Sequence, residues 1–280
     1  MLIHHVQPIN VLHLFPVLDR ALLELLNSLT EEEWHKQTIA RKWVVKDVAA
    51  HLLDGSLRGL SILRDGYMGE PPGKIESYQD LVAYLNELNA VWTAAAKRLS
   101  PRVLITMLES VGKEYNEFIN QLDPWADAQF SVAWAGEEIS KNWFHIAREY
   151  TEKWLHQQQI RDAIGKPGII TPELFYPFID TFMCALPHTY KHIDVPTGTS
   201  VEVVVSTDAG GVWHINKTDE GWVLRKTTRL QPNARLTLDP DTAWKLFSKG
   251  ITPEEALTRV TIEGDEQLGK VALGMIAVMA

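Results

Sequence analysis

Cys184 is the only cysteine in the chain. A lone thiol forms no intrachain disulfide, so the fold does not depend on an oxidising compartment. No window holds about 18 uninterrupted apolar residues, and no membrane-spanning helix is expected. No Lys/Arg run of useful length occurs and the formal net charge is −9, so the basic stripe that nucleic-acid binding needs is missing. The acidic balance speaks mainly for solubility. Glycine and proline, 17 and 14 of 280 residues, are not in excess, and charged residues make up 22%, which excludes fibrous and disordered classes. Residues 1–16 lack a cationic segment followed by an apolar run, which argues against a signal peptide. A soluble cytoplasmic protein is the expectation.

The hydrophobic share is 45%, enough for one large domain or two ordinary ones, each with its own core. Ten tryptophans are many for this length and suggest thick helix-packing cores or aromatic pocket walls. Apolar spacing predicts helices over 11–29 and 45–64. Thr30 and Glu33 form a capping box for a short helix over 31–36. Ser77 caps a helix over 78–99, and Ser100-Pro101 opens another to about 122. A loop over 124–138 precedes a helix over 139–164, which Gly165 and Pro167 end. Thr171-Pro172 opens one more, to about 192. Beyond 194 the composition turns β-branched and aromatic. Strands are expected over 200–206, 212–216, 222–227 and 235–238, read as an antiparallel meander. Helices from Asp239-Pro240 and Thr252-Pro253, a strand over 260–263 and a helix over 265–279 complete a small α+β domain. The expected division is 1–194, a helical bundle, and 195–280, an α+β tail.

The chemistry sits in the helix over 139–164. With Glu152 set at zero on a 100° wheel, His156 falls at roughly 40°, His145 at roughly 20° and Glu149 at roughly 60°. Trp143, Ala147, Tyr150 and Trp154 take the opposite side. A polar strip this narrow, hemmed by aromatics, suits groups facing a cleft rather than an open surface. His51 lies in an apolar stretch of the 45–64 helix, where an unpartnered imidazole is costly. Two imidazoles and one carboxylate suit a divalent transition metal and leave positions on the ion for water or substrate. On spacing alone, a solvated strip and a core histidine satisfied by a backbone carbonyl stand as alternatives.

The run Trp43-Val-Val-Lys-Asp47-Val-Ala-Ala-His51-Leu, followed downstream by Arg148-Glu-Tyr-Thr-Glu152-Lys-Trp-Leu-His156, resembles the N-terminal metal-binding domain of mycothiol-dependent maleylpyruvate isomerases, within the DinB-like four-helix-bundle superfamily. The resemblance implies that His51, Glu152 and His156 bind a divalent metal, most often zinc, with nickel as the alternative. Leu236 to Leu246, Gly250 to Leu257 and Val260 to Asp265 resemble the sterol-carrier-protein-like domain often fused to that module, where it helps close the active site. The family often has Ser or Thr where Val44 stands. It also uses an arginine to hold acidic substrate or thiol. None falls within 77–89, and Arg58 and Arg64 are the candidate substitutes.

The expected activity is that of a metal-dependent transferase or isomerase using a low-molecular-weight thiol as cosubstrate. The thiol adds to a small-molecule electrophile, then leaves again for isomerisation or stays for transfer. Glu149 and His145 are the candidate catalytic groups, as base or ligand orienter. The rival reading is a carrier whose C-terminal domain holds an apolar ligand between Trp213, Trp222 and Trp244. His188 and His192 read as helix-end residues, and Cys184, with no base nearby, as a buried inert thiol. A monomer or homodimer is the expectation.

Overall fold

The computed structural model describes residues 7–69 and 72–279. Residues 1–6, part of the stretch that lacks signal-peptide character, and two residues of the 66–75 loop lie outside the described residues. Packing divides the chain into two compact units, one helical (chiefly Val11–Gln129 with Glu152–Gly168) and one built on a sheet (chiefly Phe130–Thr151 with Ile169–Val278). A helical N-terminal part and a C-terminal sheet are therefore present. Two segments expected to belong to the N-terminal bundle, 130–151 and 169–194, group with the sheet.

The helical unit contains α1 (Phe15–Asn27), α2 (Glu31–Trp34), α3 (Val45–Gly59), α4 (Tyr78–Ala96), α5 (Pro101–Ile119) and the later part of α6 (Asn142–Ile164). α1 buries Leu18, Leu22, Leu25 and Leu26, the stripe that 3.6-residue periodicity requires. Leu22, Leu25 and Leu26 meet Val45, Val48, Ala49 and Leu53 of α3, Leu104 and Leu108 of α5, and Ile160 and Ile164 of α6 in one core. Each fully buried side chain of this size contributes about 1.5–3 kcal/mol of transfer free energy. Local chemistry sets the helix starts. Thr30 N–H donates to Glu33 Oε2 at 2.8 Å and Glu33 N–H to Thr30 Oγ1 at 3.3 Å. Ser77, Ser100 and Thr171 accept from the N3 amides of their helices. α3 starts differently, because valine has no cap oxygen. Asp47 Oδ2 instead accepts from Val44 N–H at 3.1 Å, which gives the aspartate of the Trp43–His51 run a structural task. α3 runs on into a π-helical turn, Leu60–Arg64.

The sheet unit adds α7 (Pro172–Met183) and α8 (Leu186–Tyr190), where one helix to 192 was expected; Pro187 lies in the first turn of α8 and interrupts the run. The strands are β1 (Ser200–Val205), β2 (Gly211–Thr218), β3 (Gly221–Arg225), β4 (Ala234–Leu238) and, after α9 (Pro240–Phe247) and α10 (Pro253–Leu257), β5 (Thr261–Gly264). The order is β3-β2-β1-β4-β5. Only β1, β2 and β3 form the expected meander. β4 crosses over and pairs parallel with β1, because the 226–233 connection carries the chain past β2 and β1 to the far side of β1. Asn233 at its end fixes the crossing: its Oδ1 accepts from Ser200 N–H at 2.9 Å. Alternation holds along most of the sheet, with Ser200 and Asn216 buried on the opposite face. Val201, Val203, Val205, Trp213, Ile215, Trp222, Leu224, Leu236 and Leu238 are buried on one face. The final helix is shorter than expected: α11 (Glu266–Val271) ends in a 3₁₀ turn at Gly274, and Met275 is extended, which lets Ala277 N–H donate to Phe247 O at 3.0 Å.

Candidate metal centre

α3 carries His51 and the helical-unit part of α6 carries Glu152 and His156, one turn apart. The three offer ligand atoms that all lie within 4.8 Å of one another. His156 Nε2 is 3.3 Å from Glu152 Oε2, and the two imidazole rings meet edge to face with centroids 4.5 Å apart. Trp43 closes one side, its ring 4.7 Å from that of His51 and 5.9 Å from that of His156.

The hydrogen bonds set the ring chemistry. His156 Nδ1 lies 2.9 Å from Gln159 Oε1. An amide oxygen only accepts, so Nδ1 carries the proton and the Nε2 lone pair points at the carboxylate. Two lone-pair atoms 3.3 Å apart repel unless a proton or a metal cation stands between them. His51 is half-buried, and its Nδ1 atom is enclosed with no hydrogen bond of good geometry. The Asn89 side chain of α4 lies beside it and works to raise its pKa, against the larger shifts. Burial first, then the nearby His156 and Arg58, push the His51 pKa well below its ordinary value, which keeps this imidazole neutral with a lone pair to give. The donor set, the apposed lone pairs and the enclosed nitrogen all fit a divalent ion.

Gln159 is a neighbour of the candidate site that the helical wheel did not single out, although its i+3 spacing from His156 was visible. Its oxygen does for a ligand histidine what outer-shell carboxylates and carbonyls do in metal sites. Gln159→Leu is therefore expected to weaken divalent-metal affinity about 10–100-fold while leaving the melting curve of the metal-free protein cooperative. Metal titration of the variant checks this, and unchanged affinity would remove Gln159 from the site. Asn89 had no sequence signal, because it reaches His51 from a separate helix.

The candidate arginines differ. Arg64 is bound by Asp65 at 2.7 Å and Glu114 at 3.0 Å. Arg58 pairs with Asp54 at 2.9 Å, and its charge is felt at His51. Burial raises the Asp54 pKa, and Arg58 opposes that shift.

His145 and Glu149 lie in the part of α6 that belongs to the sheet unit. His145 is buried, and its pKa falls to about 4 because of burial, with the Arg148 charge adding to the shift and Glu149 opposing it. Arg148 Nη2 lies 3.1 Å from His145 Nδ1. A guanidinium only donates, so Nδ1 is the acceptor and Nε2 bears the hydrogen. Its lone pair is thus occupied, which opposes the expectation of His145 as a base. Glu149 is paired with Arg148.

The remaining sequence candidates fall outside this cluster. His188 sits at the last turn of α8, 3.2 Å from Lys191 Nζ. Cys184 is buried, burial pushes its thiol pKa up, and Sγ donates to Asp180 O at 3.6 Å. Trp213, Trp222 and Trp244 are fully buried, and their indole N–H groups donate to Asp180, Ile193 O and Asp241. They are core walls with satisfied donors. Among the described residues no helix is long and apolar enough to cross a membrane.

The geometry defines a class: a helical protein whose two packed helices present two imidazoles and one carboxylate at one point. The chain belongs to the family described as mycothiol maleylpyruvate isomerase N-terminal domain, whose model matches residues 15–161. No curated protein matches the sequence. Two solved structures share the fold, with a TM-score of 0.56 and coverage of 94% of this chain and 95% of theirs. One is the mycothiol-dependent maleylpyruvate isomerase, at 10% identity. The other is a histidine-to-alanine mutant of that isomerase, at 9%.

Proposed function

We propose that the protein is a divalent-metal-dependent transferase or isomerase that uses a low-molecular-weight thiol on a small electrophilic substrate. The observation that carries this reading is the convergence of His51, Glu152 and His156 within 4.8 Å, with the His156 tautomer fixed by Gln159. These three would hold the ion, zinc first and nickel second. Bound there, such an ion lowers the pKa of a coordinated thiol or water and supplies the nucleophile.

The other groups do work the chain itself provides. Gln159 keeps the His156 Nε2 lone pair aimed. Trp43 excludes water from the His51 and His156 rings. Glu149, one turn before Glu152, is the proton acceptor of the scheme through its carboxylate, and His145 serves as a donor through Nε2–H rather than as a base. Mycothiol is the first thiol to test because the relatives are named for it, and maleylpyruvate the first substrate. We assign a cytoplasmic location, a monomer or homodimer, and a boundary between sequence modules at 194/195.

The test is elemental analysis of the purified protein, then assay of mycothiol, bacillithiol and glutathione against maleylpyruvate and other activated alkenes. Thiol-dependent turnover that chelation removes and zinc restores is expected. Turnover with no thiol present, or undiminished by chelation, would overturn the reading.

A further inference from the structure

The sheet unit holds an open cleft of about 710 Å³ along the β2–β3 hairpin and the 226–233 connection. Its lining carries three cations, Arg225, Arg229 and Lys217, and one carboxylate, Asp219. Arg225 lines it at the end of β3 and Arg229 from the 226–233 connection, and neither has an ion-pair or hydrogen-bond partner among the described residues. The nearest carboxylate across the sheet is spoken for. Glu202 lies two strands from Arg225 in register, roughly 10 Å away, and is taken by Arg235 on its other side. At the other end, in the hairpin turn roughly 13 Å along β3, Asp219 accepts from Thr197 Oγ1 at 2.8 Å.

The wall between is built and held from below. Ser200 Oγ donates to Asn216 Oδ1 at 2.8 Å, and Asn216 Nδ2 donates to Thr228 Oγ1 at 3.0 Å. Leu230 N–H also donates to Thr228 Oγ1, at 3.2 Å. Asn216 is 5% exposed. Thr228 Oγ1 therefore already accepts twice, and its one hydrogen is left to donate. Two unneutralised guanidiniums beside a hydroxyl donor match the tetrahedral oxygens of a phosphate monoester. A carboxylate at the far end matches the hydroxyls of a sugar or polyol.

We propose that this cleft is a second binding site, for a phosphorylated sugar or polyol, with the phosphate on Arg225, Arg229 and Thr228 and the hydroxyls toward Asp219. Calorimetric titration of the full chain with glucose 6-phosphate, inorganic phosphate and glucose tests it. Glucose 6-phosphate is expected to bind saturably, tighter than inorganic phosphate, with glucose weakest. Both arginines are exposed, so an Arg225→Gln/Arg229→Gln double variant keeps its fold and is expected to lose at least about tenfold in affinity for both phosphate probes. Asp219→Asn is expected to weaken glucose 6-phosphate several-fold and leave inorganic phosphate unchanged. His156→Ala is expected to change neither, which separates this cleft from the candidate metal centre. No saturable binding, unchanged affinity in the double variant, glucose 6-phosphate no tighter than inorganic phosphate, or loss of binding in His156→Ala would each overturn the proposal.

Discussion

Replacing His156 by alanine is expected to leave the purified protein essentially free of divalent metal, where the wild type carries about one ion per chain. The reason is the ligand count. Three protein ligands are the usual complement of an open site. His51 and Glu152 alone form a two-point contact from two helices, with no third donor in the group. The loss should therefore exceed the 10–100-fold expected for Gln159→Leu, since that change only loosens a ligand. Glu152→Gln should fall between the two, because the amide keeps an oxygen donor but gives up the negative charge that favours a cation. The measurement is metal content after dialysis against chelator-buffered zinc, with a thermal melt to show that each variant is folded. Full stoichiometry in His156→Ala would end the metal assignment, and a ranking in which Gln159→Leu was the most severe would show that the tautomer argument is misplaced.

Periodicity put Glu152 and His156 on one helix face and left His51 as a lone imidazole in an apolar run, and the family resemblance joined the three as one ligand set. Capping chemistry was equally legible, since Thr30 with Glu33, Ser77, Ser100 with Pro101, Thr171 and Asp239 act within four residues of themselves. The strand order was not. A period of two says which face Val203 and Leu236 occupy but not that β4 lies beside β1, because that pairing is non-local and set by the 226–233 crossing. Side-chain direction was also out of reach. His145 and Arg148 are visibly three apart, yet only their rotamers show that the guanidinium occupies the imidazole lone pair. That single contact opposes the expectation of His145 as a base. The grouping of the early part of α6 with the sheet depends on packing of that kind as well, and no composition shift marks residue 151.

Acid should destabilise the protein well before its carboxylates titrate, and His145 is the reason. Its pKa is about 4 in the folded chain against 6.5 for an ordinary histidine, because burial penalises the cation and Arg148 repels it. A depressed folded pKa means that the unfolded chain binds the proton more readily. The contribution is fully present above pH 6.5, shrinks as the pH falls, and is gone below about pH 4. Between those limits the loss is on the order of 3 kcal/mol from this one residue, a large part of a typical folding free energy. His145→Gln separates the effect from other acid-sensitive groups. The glutamine offers Arg148 an amide oxygen in place of Nδ1 and cannot take up a proton in this range. Denaturant melts of wild type and variant at pH 7.5 and pH 5 should therefore differ in slope: the wild type loses stability over that interval, and the variant loses less by about 2 kcal/mol. Equal losses in both proteins would mean that His145 is not held neutral by its surroundings, and the assignment of Nε2–H as a standing donor would fall with it.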